Sequence, residues 1–206
     1  MKSMSAQPQF SFSNEQYDAL REIANIGMGK ASSALADLIG TTILISVPQA
    51  VCVSISNLPN VLRDPEQVTA GIYLQVTGEV AGHATFIFEV GSAHRLAGAL
   101  LGIPEVNLDE ITASALMEIG NIMLSAYLTA ISDLTGLQLL PSPPVMAVDM
   151  GCAILSAVIA NMQNLDDYAV TIATDIYDPQ GLISGTFIFL PEPGGIQGIL
   201  ESIGMG

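Results

Sequence analysis

Hydrophobic positions first fall into helical spacing at Tyr17, Leu20, Ile23, Ala24 and Ile26, the recurrence of one buried face. The run predicts a helix from Ser13–Asn14 to Ile39. Ser13 or Asn14 can cap its start, Glu15 suits its first turn, and Gly40 supplies its stop. Two β-rich runs follow, Thr41 to Val47, ended by Pro48, and Ala50 to Ser56. Val68 to Val76 and Ala81 to Val90 predict a hairpin whose turn lies near Gly78-Glu79, where glycine tolerates positive φ. Ser92 to Leu101 reads as a helix closed by Gly102-Ile103-Pro104.

The order then starts again. Leu108 to Leu134 predicts a second long helix, stopped at Gly136, and strands are predicted over Leu137–Leu140 and Val145–Met150. Cys152 to Met162 is an Ala-rich helical run, a larger insertion than its counterpart around Pro59 to Arg63. Ala169–Ile176 and Gly181–Leu190 predict a second hairpin, and Gly195–Ile203 a short last helix. Ala19, Leu20, Ile23, Ile26, Ala34, Asp37, Leu38 and Gly40 meet identical residues 96 positions later. The doubled order predicts an α+β fold with pseudo-twofold symmetry, in which two long helices pack on a mainly antiparallel β-sheet. Residues 1–206 are expected to form one domain of two repeats, 14–102 and 108–204, behind a polar tail over 1–13. The linker Pro104–Asn107 is short enough to join the halves in one unit.

The repeat also carries polar residues in register. Asp18, Glu22 and Asn25 stand at i, i+4 and i+7 with Pro48 farther along, and Ser114, Glu118, Asn121 and Pro144 repeat that arrangement. Such spacing stacks the three side chains along one helix face. A single polar stripe is ordinarily a solvated face; a stripe kept in both copies asks for a function. A carboxylate can anchor a cation, while a carboxamide both donates and accepts without titrating near neutrality. The pair suits orienting a water molecule better than deprotonating it, and positioning is most of what phosphoryl transfer requires. Gly27 and Gly29 follow Asn25, and interior helix glycines suggest close approach of another surface. Their counterparts are Met123 and Ser125, so the second site is expected to be less open.

The segments Asp18-Ala-Leu-Arg-Glu22-Ile-Ala-Asn25-Ile-Gly-Met-Gly and Ser114-Ala-Leu-Met-Glu118-Ile-Gly-Asn121-Ile-Met resemble the active-site helices of the CheC/CheX/FliY phosphatases of chemotaxis. Two intact motifs in one chain are most similar to the CheC arrangement. The resemblance implies hydrolysis of the aspartyl phosphate of a CheY-type response regulator. It implies that Asn25 and Asn121 orient the attacking water in line, while Glu22 and Glu118 pair with the regulator's active-site lysine. Asp18 and Ser114 would edge the contact, and Pro48 and Pro144 would shape strand ends. It also implies no cofactor or metal ligand set of the chain's own, because the divalent metal, Mg, belongs to the regulator. The deamidase CheD is a candidate second partner for an exposed face of the Ala-rich helix. The alternative is a non-catalytic regulator-binding module like the middle domain of the flagellar switch protein FliM; a metal- or ligand-binding module lacks a full ligand set.

Composition narrows the partners. Five basic residues face twenty acidic ones, a net charge of −15, and no Lys or Arg follows Ile103. Phosphate backbones need clustered cations, so a nucleic-acid role is excluded, and anionic membrane surfaces are disfavoured. The N-terminus lacks the apolar core of a secretory signal, and the apolar stretch Val145–Ala160 is broken by Asp149 and too short to span. A cytoplasmic protein without membrane insertion is expected, with Cys52 and Cys152 as buried free thiols and, aromatics being few, an aliphatic core. Gly27-Met-Gly29-Lys30-Ala-Ser32 is only a fragment of a phosphate loop, and Lys30 reads as an exposed helix charge. His83 and His94 read as structural; Asp166-Asp167 and the pair Asp175 and Asp178 read as solvated turns.

Overall fold

The computed structural model describes residues 12–104, 106–107, 109–162, 167–192 and 194–206. Helix α1 spans Asn14–Ile39, followed by strands β1 (Leu44–Ile45) and β2 (Gln49–Ser54) and a 3-10 helix at Ile55–Val61. Strands β3 (Val68–Gly78) and β4 (Gly82–Glu89) precede α2 (Val90–Leu101). The second series is α3 (Glu110–Thr135), β5 (Leu139–Pro141), β6 (Val145–Met150), α4 (Gly151–Ala160), β7 (Tyr168–Tyr177), β8 (Ser184–Pro191) and α5 (Gly195–Ser202).

Local chemistry sets the ends of the long helices. Ser13 closes a capping box, its hydroxyl accepting from the Gln16 amide at 3.2 Å while the Gln16 side chain accepts from the Ser13 amide at 2.8 Å. Asp109 does the same for α3 with Thr112. Caps of this kind contribute about 1 kcal/mol each. Gly40 and Gly136 end the two helices in the left-handed conformation, at φ 67° and 74°.

The strands form one antiparallel sheet in the order β1-β7-β8-β4-β3-β5, with β2 also on β7 and β6 also on β3. The halves therefore exchange strands. Segments that follow α1 pair with the β7–β8 hairpin, and segments that follow α3 pair with the β3–β4 hairpin. The β4–β8 pairing, with Phe86 opposite Phe187, joins the two hairpins at the centre of the sheet. A twofold relation between antiparallel neighbours runs normal to the sheet, so it leaves both long helices on the same face.

Alternation along the central strands sorts the two faces. Phe86, Phe88, Phe187 and Phe189 point to the helix side, where they meet Leu20, Met28 and Leu35 of α1 and Leu116, Met123 and Tyr127 of α3. Ile87, Ile188 and Leu190 point the other way, under Leu58 and Leu62 from the 3-10 segment and Ile154, Leu155 and Val158 of α4. The core is aliphatic at its margins but aromatic at its centre. Tyr127 stands 4.9 Å, ring to ring, from Phe187, which itself lies 4.9 Å from Phe86. Few aromatics suffice because strand alternation places them together.

Other expectations change in detail. Thr41–Val47 shortens to β1 because only Leu44 and Ile45 join the regular ladder with β7, while Ser46 holds Asp175 of β7 through its backbone amide and its hydroxyl, each at 2.9 Å. Cys52 and Cys152 are free but half-buried, not buried. Asp178 is 3% exposed, and its carboxylate accepts the Ile183 amide at 2.6 Å, so it closes the β7–β8 turn from inside. Asp175 lies within β7, bound by Arg63 at 2.7 Å and Thr186 at 3.2 Å. Asp166 is outside the described residues. His83 is a satisfied core histidine, 2.7 Å from the Tyr73 hydroxyl and 3.3 Å from Glu192. By length and composition α3 is apolar enough to cross a membrane. Its buried residues, however, face α1 and the sheet, as those of a core helix do.

The two interior glycines of α1 separate. A Cβ on Gly27 would stand 2.6 Å from the Tyr127 ring, whereas one on Gly29 would meet nothing within 4 Å. Gly27 serves helix packing; Gly29 packs against nothing among the described residues. Gly27→Ala is expected to cost about 1–3 kcal/mol through overpacking, and Gly29→Ala to add up to about 1 kcal/mol through helix propensity. Denaturant unfolding of the two variants measures both, and equal effects would refute the distinction. Tyr127 is fully buried with its hydroxyl unpartnered among the described residues, and burial holds its phenol well above its ordinary pKa. Tyr127→Phe removes an unsatisfied group worth about 1–3 kcal/mol. The variant should be at least as stable as the parent, and a clear loss in the same unfolding assay would reveal a hidden partner.

Candidate functional site

Because α1 buries Leu20, Ile23, Ala24, Gly27, Met28, Ala31 and Leu35, its opposite face is left outward. Asp18, Glu22 and Asn25 all lie on that face and are exposed. On α3, burial of Ala115, Leu116, Ile119, Met123 and Leu124 leaves Ser114 and Glu118 exposed and Asn121 half-buried. The fold thus brings each predicted triplet together on a single helix surface. Glu and Asn stand three residues apart in each copy, a spacing that puts their Cβ atoms about 5–6 Å apart. Among the described residues no hydrogen bond or ion pair engages the side chains of Glu22, Asn25, Glu118 or Asn121. Both amides therefore keep donors and acceptor for an external group.

The first members of the stripes differ. The Asp18 carboxylate receives Arg21 Nη1 at 2.5 Å, and Arg21 also reaches the Ala50 carbonyl of β2 at 3.4 Å. The Ser114 hydroxyl instead donates back to the Glu110 carbonyl at 2.8 Å. Pro48 and Pro144 each immediately precede a strand, β2 and β6 respectively. Pro48 is buried and Pro144 half-buried. Neither belongs to the outward stripes.

Three residues beside the stripes were misassigned or overlooked in the sequence. Ile26, expected in the core, is 37% exposed next to Asn25. The spacing Glu22, Ile26, Lys30 at i, i+4, i+8 was the available signal, since it follows the polar face. Ile111, 66% exposed, stands one turn ahead of Ser114 on the same face. Arg21 ties the stripe to the sheet. Lys30 is exposed, as expected. Among the described residues no group of three or more His, Cys, Asp or Glu side chains is placed to hold a metal ion.

Chemically, each stripe is an open, convex surface rather than a pocket. A carboxylate and an unengaged amide on a rigid helix can enter a cleft in another molecule, fix its orientation through a cation, and order one water.

Comparison with known proteins agrees with this geometry. The model of the CheC-like family matches residues 15–52 and 111–147, the two segments that carry the stripes. The CheY-P phosphatase CheC of Bacillus subtilis is 32% identical over 197 residues, covering 92% of this chain and 94% of that protein. Among solved structures, FliY of Thermotoga maritima superposes with a TM-score of 0.74 at 21% identity, covering 96% of this chain and all of that one. CheX of Borrelia burgdorferi, solved in complex with CheY, BeF3 and Mg2+, gives a TM-score of 0.57 at 18% identity over 82% of this chain and 96% of its own. With the fold, the duplicated stripe and an extended match to CheC in agreement, the chain belongs to the CheC-like family.

Proposed function

We propose that the chain is a protein-aspartyl-phosphate phosphatase acting in the cytoplasm on a CheY-type response regulator in chemotaxis signalling. The observation that carries this reading is the pair of outward Glu and Asn side chains, present on both long helices and unused by the fold. Two relatives add support: a CheY-P phosphatase similar along nearly the whole chain, and a CheX of like fold that was solved with CheY.

In this mechanism the helix face docks over the regulator's phosphorylated pocket. Glu22 or Glu118 pairs with the regulator's active-site lysine and sets the helix angle. Asn25 or Asn121 then holds a water in line with the aspartyl phosphate. The water oxygen bonds to phosphorus as the bond from phosphorus to the aspartyl oxygen breaks. The carboxylate leaves, inorganic phosphate departs, and a proton passes to solvent. Mg2+, resident in the regulator, neutralises phosphate charge there; this chain contributes orientation alone. The competing module that binds a regulator without hydrolysis gives no role to a carboxamide in each copy.

The test is decay of an acyl-phosphorylated CheY with and without the protein. Asn25→Ala and Asn121→Ala together should slow hydrolysis at least about a hundredfold, the usual scale for losing a group that positions the reacting atoms. Circular dichroism should be unchanged, and each single variant should retain the other site. Full hydrolysis by the double variant would remove the mechanism, and regulator binding without hydrolysis by the parent would favour the non-catalytic module. CheD is the second partner proposed, at the outward side of α4, where Ser156, Ala157 and Ala160 are exposed. Ala157→Glu should abolish co-elution with CheD while preserving hydrolysis, and retained co-elution would move that contact elsewhere.

A further inference from the structure

The two stripes share their centre and differ around it. On α1, Glu15, Asp18, Glu22, Asn25 and Gly29 follow one another along the outward face, with Lys30 beside the last of them. On α3 the corresponding run is Ile111, Ser114, Glu118, Asn121 and Ser125, with Ala126 beside it. Four charged positions of the first stripe, Glu15, Asp18, Arg21 and Lys30, are thus uncharged in the second: Ile111, Ser114, Met117 and Ala126. Glu110 of α3 adds charge only at the extreme helix start, opposite Asn14 of α1.

These differences lie at the surface. Glu15, Asp18 and Lys30 are exposed, as are Ile111 and Ser114, while Arg21, Met117 and Ala126 are half-buried. The α1 flank is polar in a directed sense, with acids ahead of Asn25 and the exposed Lys30 ammonium behind it. Arg21, held by Asp18 and the Ala50 carbonyl, fixes part of that pattern in place. The α3 flank offers an apolar isoleucine at 66% exposure and no cation. Gly29 adds a further distinction: a Cβ there would meet nothing within 4 Å, so its bare backbone lets a visiting surface come closer than Ser125 does on α3.

We infer that one reacting pair is presented in two recognition settings. The α1 site takes a response regulator through complementary charges around the pocket, and the α3 site takes one through apolar contact. Residues Glu15, Asp18, Arg21 and Lys30, against Ile111, Ser114, Met117 and Ala126, set this specificity. The inference rests on the phosphatase reading above. Charges at the rim of an interface govern encounter rate and salt dependence more than they govern the chemistry, and salt screens them over about 10 Å at 0.1 M. Apolar contact is not screened. One chain can in this way serve regulators with different surfaces, or keep one site working when ionic conditions weaken the other.

The experiment uses the full chain as Asn121→Ala, which leaves the α1 site, and as Asn25→Ala, which leaves the α3 site. Phosphate release is followed from Bacillus subtilis CheY phosphorylated with acetyl phosphate, between about 0.05 M and about 0.5 M ionic strength. The α1-only protein should lose roughly three- to tenfold in kcat/KM across that range, and the α3-only protein less than about twofold. Exchanging the flanks should exchange the slopes. Glu15→Ile, Asp18→Ser, Arg21→Met and Lys30→Ala together flatten the first, and Ile111→Glu, Ser114→Asp, Met117→Arg and Ala126→Lys steepen the second. Where only one site turns over, the flank exchange on that site decides alone. Equal slopes, or slopes that ignore the flanks, overturn the inference and leave the phosphatase reading standing. Loss of all hydrolysis in both single variants likewise overturns this inference alone, whereas undiminished hydrolysis in the double variant, or none by the parent, brings down the phosphatase reading and this inference with it.

Discussion

The constraint that governs the rest is burial of one face of α1 and one face of α3 against the same side of a single sheet. Each helix is 26 residues long, and each has one flank committed to Phe86, Phe88, Phe187, Phe189 and the other helix. Committing that flank fixes rotation about the helix axis. The polar stripe has no other direction left than outward. The surface chemistry of the molecule is therefore a by-product of its core, and a change at Gly27 or Tyr127 reaches the stripe through helix rotation rather than through any contact with Asn25.

The duplicated architecture was legible where local rules operate. The start at Ser13 or Asn14 and the stop at Gly40 bracketed α1, with Ser13 taking the cap, Gly136 ended α3, and Val145–Met150 was recognised to the residue. Caps, stops and alternation act over a few residues, so a single sequence displays them. The strand exchange was not legible. Nothing in Gln49–Ser54 says that its partner is Tyr168–Tyr177 rather than the nearer Val68–Gly78, because pairing over such a separation is decided by tertiary packing. Likewise Asp175 and Asp178 looked like turn residues by type, yet one carries an ion pair within a strand and the other fastens a loop from inside.

For the site, the sequence supplied the triplets because recurrence at a fixed interval turned an ordinary stripe into a signal. It could not supply the surroundings. Ile26 counted as core by periodicity, although it sits at the margin between buried and outward faces, where a shift of a few tens of degrees reverses the assignment. Gly27 and Gly29 looked equivalent. Only coordinates reveal that one faces a tyrosine ring and the other faces solvent. The half-burial of Asn121 against the exposure of Asn25 was likewise invisible, since both occupy the same position of the repeat.

The exchanged strands bear on how such a molecule comes to exist. Each hairpin completes its sheet with a segment from the opposite half, so severing the chain between α2 and α3 yields two fragments that are each missing an edge. Their reunion would be a bimolecular event, dilute and reversible. A tether of a few residues replaces that with a local concentration set by its own length, in the millimolar range for short linkers. Gene fusion of two interlocked monomers would capture this advantage, and it would also free the copies to drift apart. Once both are guaranteed to be present in the same particle, neither has to preserve the surface that the other displays.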